Sequence, residues 1–172
     1  MYRTLPRMFR TPMTLDRRQR WMTGAGVVLL AVVVGVTLRG GAPVGVFTFL
    51  VLSVVMGLSW AMSPRALVVE DGELRVERRA WPPLRVPLAS IVSAAPLDRL
   101  GRGTVRLFGV GGFFGSYGLF SSPGIGRFRL YATRRGQALL VRRSGDALPL
   151  VLTPDDVAGA IGAIDGRPLL TE

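Results

Sequence analysis

Two sets of side chains in this 172-residue chain have the types and spacing to do chemistry. Arg127 and Arg129 lie two apart, as on one strand face, and the pairs Arg134/Arg135 and Arg142/Arg143 follow closely. Adjacent antiparallel strands would gather these six guanidiniums into a patch for an anion or an anionic lipid headgroup, because each offers a rigid fork of donors. The plainer reading is a solvated surface, since all 22 basic residues are arginine. The second set is Asp155 and Asp156, a carboxylate pair of the kind used in acid–base work. They directly follow Thr153-Pro154, and capping of a helix start explains both, so no catalytic residue is assigned.

With no Cys and no His, the chain lacks thiolate nucleophiles, disulfides, Cys/His metal sites and the side chain best suited to proton transfer near neutrality. The expectation is a non-enzyme without a cofactor or metal.

Leu107 to Gly126 is a run of twenty uncharged residues holding seven glycines, interleaved with Phe108, Phe113, Phe114, Tyr117 and Phe120. A nucleotide loop fits poorly, because Gly109-Val110-Gly111-Gly112-Phe113-Phe114-Gly115 misses the third glycine of the fingerprint and no helix follows. A third membrane helix fits by length, but the glycines and Pro123 weaken it. The run reads as a loop, structural or functional. In the functional version Phe113, Phe114, Tyr117 and Phe120 form an apolar interface loop that dips into a bilayer surface or docks a partner.

Hydrophobic residues make up 49 % of the chain and its mean hydropathy is +0.38, with the excess near the N-terminus. Trp21 to Leu38 and Ala42 to Ser63 are free of charge; as helices they span roughly 27 and 33 Å, enough to cross hydrocarbon. Neither segment has a polar face, and Arg39-Gly40-Gly41-Ala42-Pro43 leaves room only for a tight turn. A two-helix transmembrane hairpin over 21–63 follows. A signal peptide over 1–38 is the rival, opposed by the length of the apolar stretch, the lack of a small-residue cleavage site and the second apolar segment.

Net charge is +11, and residues 1–20 concentrate it in a basic tail with Arg3, Arg7, Arg10, Arg17, Arg18 and Arg20 against Asp16. Arg65, Arg75, Arg78 and Arg79 follow the second helix, whereas the connector has only Arg39. The positive-inside rule therefore puts both termini in the cytoplasm, with Trp21 and Trp60 as anchors on that side. No ionisable residue lies within either segment, so the pair reads as an anchor and not a transport path. Ala31/Gly35 and Gly57/Ala61 could let helices approach, within the hairpin first and between copies second.

From Ala66 the pattern alternates with period two. Asp71-Gly72 between such runs predicts a hairpin, and six or seven short antiparallel strands are expected, with a Ser144-Gly145-Asp146 turn late in the series. Thr153 as N-cap and Pro154 as first helical residue predict a closing helix over about 154–164. The fold class is α+β: a transmembrane hairpin, then a β-barrel or sandwich over 66–172 closed by a C-terminal helix.

Two apolar helices, the Gly-rich run, Tyr131-Ala132-Thr133-Arg134, an apolar strand and Leu152-Thr153-Pro154-Asp155-Asp156 together resemble bacterial pleckstrin-homology (PH)-like membrane proteins. The resemblance covers roughly 66–165, most firmly 105–165. It implies seven bent strands closed by a C-terminal helix, on a fold that hosts lipid binding, peptide binding and scaffolding. The functional expectation is a binding module at the inner membrane, presenting a surface to a lipid headgroup or a protein. The alternative is a structural accessory subunit acting through its helices. Expected partners are the lipid bilayer, an anionic lipid headgroup and a membrane or cytoplasmic protein; no module for nucleic acid is visible.

Overall fold

A computed structural model of the chain describes residues 8–39, 43–98, 100 and 103–166. In chain order the elements are β1 (Phe9–Pro12), α1 (Arg17–Arg39), α2 (Pro43–Met62), β2 (Pro64–Glu70), β3 (Glu73–Arg78), β4 (Leu84–Pro87), β5 (Ile91–Leu97), β6 (Val105–Gly111), β7 (Ser116–Ser122), β8 (Gly126–Ala132), β9 (Ala138–Arg143), β10 (Leu150–Leu152) and α3 (Val157–Ile164). They form a four-stranded sheet, β1-β2-β3-β4, and a six-stranded sheet, β5-β9-β10-β8-β7-β6. The α+β class and the closing helix are as expected, and the two sheets make an open sandwich, not a closed barrel. The pairing of β10 with β8 is parallel, where only antiparallel pairs were expected.

Alternation decides which residues meet between the sheets. Leu67, Leu74, Val76 and Val86 from one sheet face Leu139, Val141, Leu150 and Leu152 from the other. Helix α3 adds Val157 and Ala160 to this core and lies against β1, β2, β5 and β9, so it closes both sheets at once. The opposite face of the six-stranded sheet is apolar as well, with Phe120, Phe128, Leu130, Ala132, Leu140 and Val151 in a second cluster. An antiparallel sheet usually leaves that face to water.

Both α1 and α2 are long and apolar enough to cross a membrane. They are inserted between two neighbouring strands, because β1 pairs antiparallel with β2, Thr11 opposite Leu67 and Pro12 opposite Ala66. Residues 9–12 are therefore part of a sheet, although the sequence reads them as tail. Residues 1–7 of that tail, with Arg3 and Arg7, lie outside the described residues, as do 40–42 of the connector. The close approach within the helical hairpin is not at the small residues expected to provide it. Gly35 and Gly57 face open space, whereas a Cβ on Gly45 would come 2.8 Å from the Thr37 Cβ across the helix pair.

The Gly-rich run is a β-hairpin, β6 and β7 with a turn over 112–115. Helix α3 begins at Val157 and not at 154, because Asp156 is the N-cap and accepts from the Gly159 N–H at 2.7 Å. Thr153 is engaged elsewhere: its Oγ1 accepts from the Thr133 N–H at 2.9 Å.

Candidate functional site

The chemistry of the molecule gathers where the helices enter the sandwich. A helix leaves its last carbonyls without partners, and at the end of α2 a strand residue and two residues in the connections supply them. The Tyr117 hydroxyl donates to the Ser59 carbonyl at 2.6 Å, the Ala80 N–H donates to the Ala61 carbonyl at 3.0 Å, and the Ser63 hydroxyl donates to the Trp60 carbonyl at 2.8 Å. Only Ser63 separates α2 from β2. The start of α1 is held in the same way. Asp16 accepts from the Gln19 N–H at 2.7 Å, an N-cap bond, while its other carboxylate oxygen accepts from the Arg135 N–H at 3.2 Å.

Tyr117 is 4 % exposed, and burial pushes its phenol above the ordinary value. Tyr117→Phe should cost about 1–3 kcal/mol, because it leaves the Ser59 carbonyl buried and unpaired. Thermal unfolding in detergent would read that loss. Since the folded phenol titrates higher than the unfolded one, its contribution is complete below about pH 10 and is lost as pH rises through the folded value. Tyr117→Phe should flatten that alkaline decline.

The turn of the β6–β7 hairpin rests on α1. The Phe114 N–H donates to Thr23 Oγ1 at 3.1 Å, and the Phe113 ring fills the space that a side chain at Gly26 would occupy. The four aromatics expected on one apolar loop thus part company. Phe113 and Phe114 are in the turn against α1, while Tyr117 and Phe120 are in β7, with Phe120 8 % exposed. On this hairpin the most exposed aromatic is Phe108 of β6, at 80 %.

The six arginines do not form one patch. β8 and β9 are not neighbours; β10 lies between them, with Leu150 opposite Arg129 on one side and Val141 on the other. Arg127 and Arg129 at the start of β8 and Arg142 and Arg143 at the end of β9 mark one end of the sheet. Alternation puts Arg142 on the opposite face from Arg143. Arg143 donates to the Leu148 carbonyl, and burial, then the Arg129 charge, lower its pKa from the ordinary value. Arg134 and Arg135 are at the other end, beside α1. Arg134 is committed to Asp155, with an ion pair of 3.5 Å and a 2.9 Å bond to its carbonyl. Asp155 also accepts from the Thr14 N–H and hydroxyl at 3.2 and 3.1 Å. Both members of the carboxylate pair therefore have structural partners.

The outer face of the six-stranded sheet holds a cavity of about 840 Å³ that was not expected from the sequence. Its lining includes Phe120, Leu130, Ala132 and Ala138 from the second apolar cluster, Gln19 and Met22 from α1, and Arg106 and Arg135. Gln19 is 9 % exposed and its Oε1 has no hydrogen-bond partner among the described residues. The Asp16-Arg17-Arg18-Gln19 spacing, an acid three residues before Gln, is a helix-start signal that marks this corner. The described residues hold no cluster of three or more acidic side chains that could bind a metal.

Residues 65–166, more than half of the chain, match the family model of the bacterial PH domain. No curated protein and no solved structure matches the chain.

Proposed function

The chain belongs to the bacterial PH domain family, and from that premise we propose a non-enzymatic binding module that α1 and α2 anchor in the cytoplasmic membrane, presenting a lipid-headgroup-binding surface at its inner face. The observation that carries this reading is the pairing of β1 with β2 on either side of the helical hairpin. A sheet that clamps both ends of the hairpin keeps the whole sandwich on one side of a bilayer and within reach of its headgroups. The arginines around those ends favour the cytoplasmic side. The hairpin turn at Phe113 and Phe114 meets α1 within its apolar span, which supports a role for these two aromatics in the interfacial layer.

A second reading, a protein partner, is favoured for Arg127, Arg129, Arg142 and Arg143. A seven-residue strand separates them from the helix contacts by about 20 Å, beyond the ~8 Å over which a membrane's surface charge is felt. An acidic protein surface suits that end better than lipid.

Topology in proteoliposomes tests the anchor. Single cysteines are clean probes because the chain has none. Asp146→Cys should react with an impermeant maleimide from one side only, and Gly41→Cys from the other only. Labelling of both from the same side would end the anchored reading. Stoichiometric membrane partners that copurify through the helices alone would favour the accessory-subunit alternative.

A further inference from the structure

We propose that the cavity beside α1 is a lipid site for one acidic phospholipid whose headgroup carries hydroxyl donors, with the phosphate between Arg106 and Arg135 and an acyl chain over Phe120, Leu130 and Ala132. The proposal rests on the membrane-anchored reading and names the ligand class for that surface.

Three observations converge on it. The floor, Phe120, Leu130, Ala132 and Ala138, belongs to an apolar sheet face that also packs against Leu97, Leu100 and Ile125. The adjoining wall is apolar too: Met22 of α1, next to Trp21, which is 71 % exposed at the start of the apolar span. A chain lying in the bilayer would reach the floor from the side without crossing water.

The rim supplies charge. Arg106 is opposite Phe120 in the β6–β7 register and so shares the face of the floor; its guanidinium lies along Gly111. Arg135 is exposed in the β8–β9 connection, its backbone held by Asp16. Neither guanidinium forms an ion pair among the described residues. The Asp16 carboxylate also borders the cavity, but its oxygens already accept from Gln19 and Arg135 backbone N–H groups. Two free forks favour a phosphodiester.

Gln19 selects the headgroup. Its buried, unpartnered Oε1 needs a donor, and such groups in native proteins call for a ligand or water. A glycerol headgroup offers hydroxyls; choline offers no N–H or O–H. The volume of about 840 Å³ suits a headgroup with part of one chain.

Native mass spectrometry of the full chain in detergent tests this, with dioleoylphosphatidylglycerol, dioleoylphosphatidylcholine or the soluble headgroup glycerophosphoglycerol added. One phosphatidylglycerol should be retained over phosphatidylcholine, and the soluble headgroup should not displace it. Arg106→Gln with Arg135→Gln should cut retention about tenfold or more, the loss of charge-assisted bonds. Ala132→Leu, which fills the floor, should abolish it. If that variant has a lowered unfolding temperature, the exposed arginine pair decides alone. Equal retention of both lipids, or retention indifferent to these variants, would mean lipid held by the helices only and overturn the site. Displacement by glycerophosphoglycerol would show that the cavity reads phosphate without a chain, and would also overturn it. Either failure leaves the maleimide topology result standing, so the two readings fail separately.

Discussion

Alanine at Gly118 should cost about 3 kcal/mol or more and lower the unfolding temperature by roughly 6–12 °C. Gly118 and Gly109 are directly opposed across β6 and β7, with φ of +135° and +125°. A left-handed φ strains any residue with a Cβ, by about 1–3 kcal/mol. Here the backbones also touch. A Cβ on Gly118 would strike the Phe108 carbonyl oxygen and lie 2.7 Å from the Gly109 Cα. Backbone atoms cannot swing aside as a side-chain tip can, so the strands must part. β6 is the edge strand of its sheet, whereas β7 is also paired with β8, so β6 is the strand that moves, and it takes Val110 away from the inter-sheet core. Gly124→Ala is the control, since a Cβ there meets nothing and should change stability by no more than about 0.5 kcal/mol. If both variants melted together, the glycine pair would not be what lets β6 and β7 approach.

That pair explains why the Gly-rich run looks like a loop in the sequence. Glycine weakens an isolated strand, and propensity carries no trace of a partner glycine nine residues away that makes the substitution mutual. Asp71-Gly72 is legible because its turn chemistry is local, and so is the helical hairpin, because length and apolarity suffice. The limits lie where distant residues decide. Asp156 displaces Thr153 as the α3 cap because Thr153 is bound to Thr133 across the sheet. The arginine patch fails because sequential strands usually neighbour each other, whereas β10, only three residues long, separates β8 from β9. The lipid cavity rests on Gln19 and Arg106, which are far apart in sequence and flank apolar runs. Nothing local marks them as neighbours.

β1 was hidden for the same reason. Phe9-Arg10-Thr11-Pro12 is too short and too polar to read as a strand, yet it completes the domain. Joining Thr14 to Pro64 through Asn-Gly, in place of the helices, should therefore give a folded sandwich, while a chain starting at Pro64 should be several kcal/mol weaker or unfolded. The splice is geometrically short, because the Met13 N–H already donates to the Arg65 carbonyl at 2.9 Å. Without β1 the domain loses Met13, 3 % exposed in the inter-sheet core, and removal of a buried Met side chain alone costs about 2–5 kcal/mol. It also loses the bond from the Asp155 N–H to the Pro12 carbonyl at 2.9 Å and that from the Asp156 N–H to Thr11 Oγ1 at 3.1 Å, so the start of α3 loosens with it. Against a total stability of about 5–15 kcal/mol, that is a large fraction. Both chains lose the helix contacts of Phe113 and Tyr117, so their difference isolates β1; Phe113→Ser in both keeps the bared turn soluble. Urea unfolding followed by near-ultraviolet circular dichroism would give the two midpoints. Equal midpoints would make the sandwich self-sufficient from Pro64 onward. β1 would then be an edge cover and not a clamp, and its pairing with β2 would not hold the two ends of the helical hairpin together.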